Sequence, residues 1–199
     1  MLRIALLDDH PAVLAGLHRL ISSEPDLTIA AVASTAHELA HELDGLRADV
    51  LVLDYDLART DGLTHCHRIK SRSHPPAVLI YSAYAGPALN VAARAAQADG
   101  VVDKAEPVQT LLTALRRVAN GEVVMPPIPR DVFDAAVAKL DDDDLPVFAM
   151  LFDREPHDAI AHALRAEEAE IARRARRIVG RLRPQLGAGV VGQAMKTER

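Results

Sequence analysis

The chain has 199 residues, 49% hydrophobic and 26% charged, enough to bury the core of one standard domain and a small second one. Its formal net charge of -5 does not by itself indicate a nucleic-acid-binding protein. A single cysteine excludes an internal disulfide, and no apolar run approaches the roughly 20 residues of a membrane helix or the form of a signal peptide. We therefore expect a cytoplasmic protein without a membrane partner.

Short apolar runs alternate with longer amphipathic segments through the first part of the chain. Five runs rich in Val, Ile and Leu are typical of strands buried on both faces, and they cover residues 3–7, 28–33, 50–53, 77–81 and 100–102. The clearest amphipathic segment runs from Val108 to Val118 and ends at Asn120-Gly121. Five strand–helix repeats predict an α/β fold with a doubly wound, five-stranded parallel sheet, the flavodoxin-like architecture.

The last third of the chain has a different pattern. Three prolines lie within residues 122–130, and each biases its predecessor away from helix, which predicts a stiff extended linker. Helical periodicity then predicts a small all-α domain over residues 131–184. Residues 185–199 lack periodicity, and we expect a disordered tail. The first domain is predicted to cover residues 1–121.

Polar side chains lie at the carboxyl ends of four predicted strands. Asp8 and Asp9 follow the first strand, Asp54 the third, Ser82 the fourth and Lys104 the fifth. In a doubly wound sheet these ends meet at one edge. Three carboxylates repel one another unless a divalent cation lies among them, and hard oxygen ligands suit Mg²⁺. A carboxylate beside Mg²⁺ can attack a phosphoryl group in line, while a lysine and a hydroxyl hold the transferred oxygens.

This pattern resembles the receiver domain of bacterial two-component response regulators, which has the CheY-like fold. Segment 8–11, Asp-Asp-His-Pro, and segment 98–100, Ala-Asp-Gly, are similar to those of the NarL/FixJ subfamily. The resemblance covers residues 1–121 and implies a phosphoprotein of signal transduction. Such a protein promotes its own phosphorylation and dephosphorylation and is not an enzyme in the usual sense.

The resemblance also implies roles for individual residues. Asp54 would accept the phosphoryl group of a sensor histidine kinase, with Lys104 holding the transferred oxygens and Ser82 acting as the switch hydroxyl. The implied Mg²⁺ ligands are Asp8, Asp9, Asp54 and the backbone carbonyl of Asp56. One departure concerns the aromatic switch residue of the family, whose position is Val101 here. Tyr81 and Tyr84 are the candidate aromatic substitutes for it.

Two other tripeptides have the form of known functional motifs. Tripeptide 54–56, Asp-Tyr-Asp, mimics the motif of haloacid dehalogenase-type phosphatases, but those place it on the first strand and need a late acidic pair. Tripeptide 65–67, His-Cys-His, suggests a metal site. Residues two apart on a helix point in different directions, so we expect instead a solvated helix face with one buried cysteine.

The predicted all-α domain resembles a LuxR-type helix-turn-helix, which aligns with residues 140–182 without a gap. Its last helix has an apolar stripe formed by Ile171, Ala175, Ile178 and Leu182. The remaining face carries the candidate DNA contacts, Arg173, Arg176, Arg177 and Arg181.

The polar signature of this helix-turn-helix has diverged. Arg154 replaces the turn glycine of the family, and Glu167 and Glu170 replace Ser and Thr at the start of the recognition helix. In the docking mode that the resemblance implies, acidic groups there would face the DNA backbone and weaken binding. Two outputs therefore stay open: DNA binding that regulates transcription, or protein–protein association through a degenerate helix-turn-helix. We expect a homodimer on activation in either case.

Overall fold

The computed structural model describes residues 1–43, 48–58 and 60–184. Its first part contains β1 (Leu2–Leu7), α1 (Pro11–Ser22), β2 (Leu27–Ala33), α2 (Ala36–Leu43), β3 (Val50–Leu53), β4 (Asp56–Leu57), β5 (Thr60–Asp61), α3 (Gly62–Lys70), β6 (Ala77–Ser82), α4 (Pro87–Ala95), β7 (Gly100–Asp103) and α5 (Val108–Ala119). The second part contains α6 (Arg130–Val137), a 3₁₀ turn (Asp142–Asp144), α7 (Leu145–Phe152), α8 (His157–Leu164) and α9 (Glu168–Leu182). The predicted tail, residues 185–199, lies outside the described residues.

Five parallel strands form the central sheet in the order β2-β1-β3-β6-β7. Every residue of the central strand β3 is buried, as expected for a strand covered on both faces. One apolar core lies between the sheet, α1 and α5, and a second lies between the sheet, α3 and α4. The predicted doubly wound α/β fold is confirmed. The short antiparallel pair of β4 and β5, directly after β3, was not predicted.

The segment predicted as a linker contacts the edge of the sheet. Val124 accepts a hydrogen bond from Val101 N at 2.9 Å, and its own amide donates to Asp99 O at 2.8 Å. Because β7 is the edge strand, this pairing covers backbone groups that would otherwise be open to water. The division of the chain into domains stays a prediction.

We call α6 to α9 the helical module. Its helix α9 packs against α3 and α4, and α4 also contacts α6 and α7. The predicted apolar stripe of α9 is buried, and it belongs to the same core cluster as side chains of α3 and α4. The helical module is therefore docked on one face of the α/β part. Within the described ranges, no helix is both long and apolar enough to cross a membrane.

The prediction of a solvated face for tripeptide 65–67 was wrong. His65 and His67 are buried together with Cys66. The ring centroid of His67 lies 5.0 Å from that of His157 in α8, so the helical module covers this part of α3. Periodicity within one helix cannot reveal such a cover, because the covering residues come from the other end of the chain.

Candidate functional site

Four neighbouring strands bring the predicted site residues to one edge of the sheet. Asp8 follows β1, Asp54 follows β3, Ser82 ends β6 and Lys104 follows β7. The strand pairing continues into these positions, since Asp54 N donates to Leu7 O at 2.9 Å and Lys104 N donates to Ser82 O at 3.0 Å. The site is thus placed by backbone pairing of the sheet.

Lys104 lies between two buried carboxylates. Its Nζ is 2.6 Å from Asp8 Oδ2 and 3.1 Å from Asp54 Oδ1. Burial opposes the charge of Lys104, but the hydrogen bond with Asp8 and the negative charge of Asp54 outweigh burial and raise the Lys104 pKa. Lys104 therefore stays cationic where a negatively charged group would arrive.

Asp54 is only 3% exposed. Burial raises its pKa, and the nearby charge of Lys104 opposes that rise. Among the described residues, the partners of its carboxylate act on Oδ1: Lys104 at 3.1 Å and the amide of Tyr55 at 2.9 Å. The second oxygen, Oδ2, is thus the one available to a reacting group.

The acidic residues at this edge fit a divalent cation. Ligand atoms of Asp8, Asp9, His10 and Asp54 all lie within 4.8 Å of one another. Asp9 Oδ2 accepts a hydrogen bond from Ala58 N at 2.7 Å, whereas Asp9 Oδ1 is buried without a hydrogen bond in the described part of the chain. His10 Nδ1 lies 2.9 Å from that oxygen. Carboxylate oxygens gathered in this way are the ligands that Mg²⁺ prefers.

The backbone after Asp54 is packed tightly against the start of α3. A Cβ atom on Gly62 would lie 2.1 Å from the carbonyl oxygen of Asp54, so only glycine fits there. Gly62 N donates to Tyr55 O at 2.8 Å. Asp61 caps α3 by accepting a hydrogen bond from Thr64 N at 2.9 Å. The glycine and the cap together fix the position of the Asp54–Tyr55 backbone.

The remaining predicted site residues take different places. Ser82 is fully buried, and its Oγ accepts a hydrogen bond from Tyr84 N at 3.0 Å. Asp56 lies in β4, paired with Asp61. Sequence reasoning did not single out Tyr55, whose hydroxyl donates to Pro184 O at 2.9 Å. Tyr55 directly follows Asp54, and this position was the one feature of the sequence that could have indicated a role for it. Its contact with Pro184 joins residues far apart in the chain, so no local sequence pattern predicts it.

Two of the four candidate DNA-contacting arginines are held by the acidic turn before α7. Arg177 Nε donates to Asp144 Oδ2 at 2.8 Å, and Arg181 Nη1 lies 2.7 Å from Asp141 Oδ2. Asp144 is fully buried, so Arg177 compensates a charge that would otherwise be costly. Arg173 is exposed and makes no hydrogen bond or ion pair within the described residues, whereas Arg176 is exposed and its Nε donates to Ala172 O of the same helix at 3.2 Å.

Solved structures of response regulators share this fold. RcsB from Salmonella enterica serovar Typhimurium, bound to the promoter rprA in the presence of phosphomimetic BeF3-, is similar with a TM-score of 0.58 and 20% identity over 92% of each chain. The response regulator ChrA of a heme-sensing two-component system is similar with a TM-score of 0.53 and 27% identity, over 87% of this chain and 86% of that chain. The likeness therefore includes the helical module.

Curated relatives give the same result for the first part. The nitrate/nitrite response regulator protein NarL of Escherichia coli K12 is 30% identical over 122 residues, which are 61% of this chain and 56% of NarL. The DNA-binding transcriptional activator DevR/DosR of Mycobacterium tuberculosis is 30% identical over 63% of this chain and 58% of its own length. The match thus spans little more than half of these relatives. The response regulator receiver domain family matches residues 4–116. The chain belongs to the response regulator receiver family, as its sequence predicted, and its first part is similar to NarL and DevR/DosR.

Proposed function

We propose that this protein is a cytoplasmic response regulator in which Asp54 accepts a phosphoryl group from a sensor histidine kinase. One observation carries the proposal: the buried Asp54 carboxylate shares the cation Lys104 with Asp8 at the carboxyl edge of the sheet. In the transfer, Asp54 Oδ2 forms a bond to phosphorus as the bond from phosphorus to the kinase imidazole nitrogen breaks.

The residues around Asp54 have separate roles in this transfer. Lys104 stays protonated and attracts the phosphoryl oxygens, while the Tyr55 amide fixes the orientation of the carboxylate through Oδ1. The Ser82 hydroxyl is proposed to turn from Tyr84 N toward the phosphoryl group. Asp8, Asp9, Asp54 and the Asp56 carbonyl would hold Mg²⁺, which when bound neutralises the developing negative charge.

Intact-mass measurement tests this acceptor role. Incubation of the full chain with acetyl phosphate and Mg²⁺ should add one phosphoryl group to the wild-type protein and none to Asp54→Asn. Asp103→Asn, at the end of β7 outside the carboxylate group, is the control and should be labelled normally. Equal labelling of Asp54→Asn and wild type would contradict the proposal.

We propose that the output is transcriptional control through DNA binding by the helical module. The support is the shared fold of RcsB, which has been seen bound to promoter DNA, and the arginine-rich face of α9. Arg173 and Arg176 are the proposed contacts, because Arg177 and Arg181 are already paired with Asp144 and Asp141. The proposed division places the receiver in residues 1–121, the linker in 122–130 and the DNA-binding part in 131–184.

A gel-shift assay at two salt concentrations tests this output. Binding by the phosphorylated protein should weaken at higher salt, because each phosphate contact releases counterions. Replacing both Arg173 and Arg176 by Ala should abolish it, whereas Arg19→Ala, on an exposed part of α1, should not. Absence of binding in both phosphorylation states would contradict DNA binding and support output through protein–protein association.

A further inference from the structure

We propose that Tyr55 is the aromatic residue that transmits the state of Asp54 to the helical module. The inference rests on the proposed role of Asp54 as phosphoacceptor. It assigns a path of signal transmission that differs from the usual aromatic position, which is Val101 in this chain. Three observations carry it: the hydrogen bond at the Tyr55 amide, the packing of its backbone, and the hydrogen bond of its hydroxyl.

The first observation is that the Tyr55 amide is hydrogen-bonded to the Asp54 carboxylate. Its amide donates to Asp54 Oδ1 at 2.9 Å, and the same oxygen is 3.1 Å from Lys104 Nζ. Attaching a phosphoryl group to Oδ2 turns the carboxylate into a mixed anhydride, so Oδ1 becomes a neutral carbonyl oxygen. A hydrogen bond to a charged acceptor is about twice as strong as one to a neutral acceptor. Phosphorylation therefore weakens the bond that holds the Tyr55 amide.

The second observation is that the backbone around Tyr55 is packed closely against Gly62 at the start of α3. The carbonyl of Asp54 is so close to Gly62 that a Cβ atom would lie 2.1 Å away from it. The carbonyl of Tyr55 is held by Gly62 N at 2.8 Å. Closely packed interiors transmit displacements to their neighbours. A change at the Tyr55 amide must therefore reach its side chain or the start of α3.

The third observation is that the Tyr55 side chain ends at the helical module. Tyr55 is 1% exposed, and its hydroxyl donates to Pro184 O at 2.9 Å, two residues beyond the end of α9. Beside it, Arg183 Nη1 lies 3.4 Å from Asp61 Oδ2. Both contacts thus tie the end of α9 to the short segment that follows Asp54.

Within the described ranges, the other aromatic candidates make no hydrogen bond to the helical module. Tyr81 packs with the core on the α1 and α5 side of the sheet, whereas α9 packs on the α3 and α4 side. Tyr84 is 40% exposed. Val101 is buried but carries no ring and no hydroxyl. Among the three tyrosines, all of them in the described α/β part, Tyr55 is the one with a hydrogen bond to the helical module.

Transmission through Tyr55 works in both directions, because coupling between two sites is reciprocal. If phosphorylation loosens the contact with Pro184, then loosening that contact must change the stability of the phosphorylated form. Tyr55→Phe removes only the hydroxyl and keeps the buried ring. Tyr84→Phe removes a hydroxyl from an exposed ring and is the matched control.

Hydrogen exchange of α9 in the full chain, with and without acetyl phosphate and Mg²⁺, tests the inference. Unphosphorylated Tyr55→Phe should show α9 exchange about 3- to 10-fold faster than wild type, as expected for loss of one hydrogen bond. Phosphorylation should accelerate α9 exchange in wild type and in Tyr84→Phe, and much less in Tyr55→Phe. Arg183→Gln changes a half-exposed side chain, and it should also accelerate α9 exchange, but by less than Tyr55→Phe does.

Intact masses of the same samples show whether a negative result concerns the role of Tyr55 or phosphorylation itself. Phosphoryl addition to wild type together with an equal α9 response in wild type and Tyr55→Phe would overturn the inference alone. Phosphoryl addition without any α9 response in wild type would also overturn it. No phosphoryl addition to wild type would overturn the proposed function and this inference together.

Discussion

Arg154 and Asp99 form an ion pair that joins the turn before α8 to the loop before β7. The Arg154 guanidinium also donates to Ala98 O at 2.7 Å, while Lys70 Nζ lies 2.9 Å from the second oxygen of Asp99. Arg154 has a positive φ of 69°, at a position where the helix-turn-helix family has glycine. The strained backbone therefore accompanies a side-chain contact that glycine could not make.

Replacing Arg154 separates these two effects. Arg154→Ala loses the ion pair and keeps the strained backbone, whereas Arg154→Gly loses the pair and removes the strain. We expect both variants to be less stable than wild type and the Gly variant to be about 1 kcal/mol more stable than the Ala variant. Urea unfolding measures this difference, and equal stability of the two variants would show that the positive φ carries no cost.

Gly62 should not tolerate a side chain. Gly62→Ala places a methyl group against the backbone of Asp54, so we expect a loss of about 1–3 kcal/mol or more in the free energy of unfolding. Gly16→Ala is the control, because nothing lies near its Cβ position in helix α1, and it should stabilise by about 0.5–1 kcal/mol. Urea unfolding of both variants checks this, and a neutral Gly62→Ala would mean that the backbone there can relax.

The His67–His157 contact should make stability depend on pH. Burial, the adjacent His157 and Arg176 of α9 lower the pKa of His67 to about 4, and burial also lowers the pKa of His157 against the opposing charges of Glu168 and Asp158. Between pH 4 and pH 6.5, His67 is neutral in the folded protein and takes up a proton when the protein unfolds. Stability is therefore complete above the unfolded pKa of about 6.5 and falls as pH drops toward 4.

Unfolding measured at two pH values tests this sign. Between about pH 7.5 and about pH 5.5, His67 alone should cost about 1 kcal/mol of stability. His67→Asn should reduce the pH dependence by that amount. The same pH profile for wild type and His67→Asn would contradict the expectation.

Metal binding should depend on Asp9. Its buried Oδ1 accepts no hydrogen bond within the described residues, lies 2.9 Å from His10 Nδ1 and belongs to the group of ligand atoms gathered beside Asp8 and Asp54, so it is placed to bind Mg²⁺. We expect Asp9→Asn to weaken Mg²⁺ binding by about 10- to 100-fold in calorimetric titration, the range typical for loss of one group at a metal site. Asp131→Asn, on the exposed start of α6, is the control. Unchanged affinity in Asp9→Asn would exclude this carboxylate from the site.

The sheet and the convergence of Asp8, Asp54 and Lys104 could be predicted because both follow from local patterns. Buried parallel strands are continuous apolar runs, and the residues after them meet at one edge. The burial of His67 and the contact of Tyr55 with Pro184 could not be predicted, because both depend on how the helical module docks. The pairing of Arg177 with Asp144 has a similar origin, since charge alone did not indicate which partner α9 would find.

Chemical trapping of the phosphorylated residue shows directly whether Asp54 is the phosphoacceptor. The full chain is treated with acetyl phosphate and Mg²⁺ and then with borohydride, which reduces an aspartyl phosphate to homoserine, and its peptides are mapped by mass spectrometry. Homoserine is expected at position 54, and none in a sample without acetyl phosphate. Homoserine at Asp8 or Asp9 with position 54 unchanged, or none anywhere in the chain, would contradict this expectation.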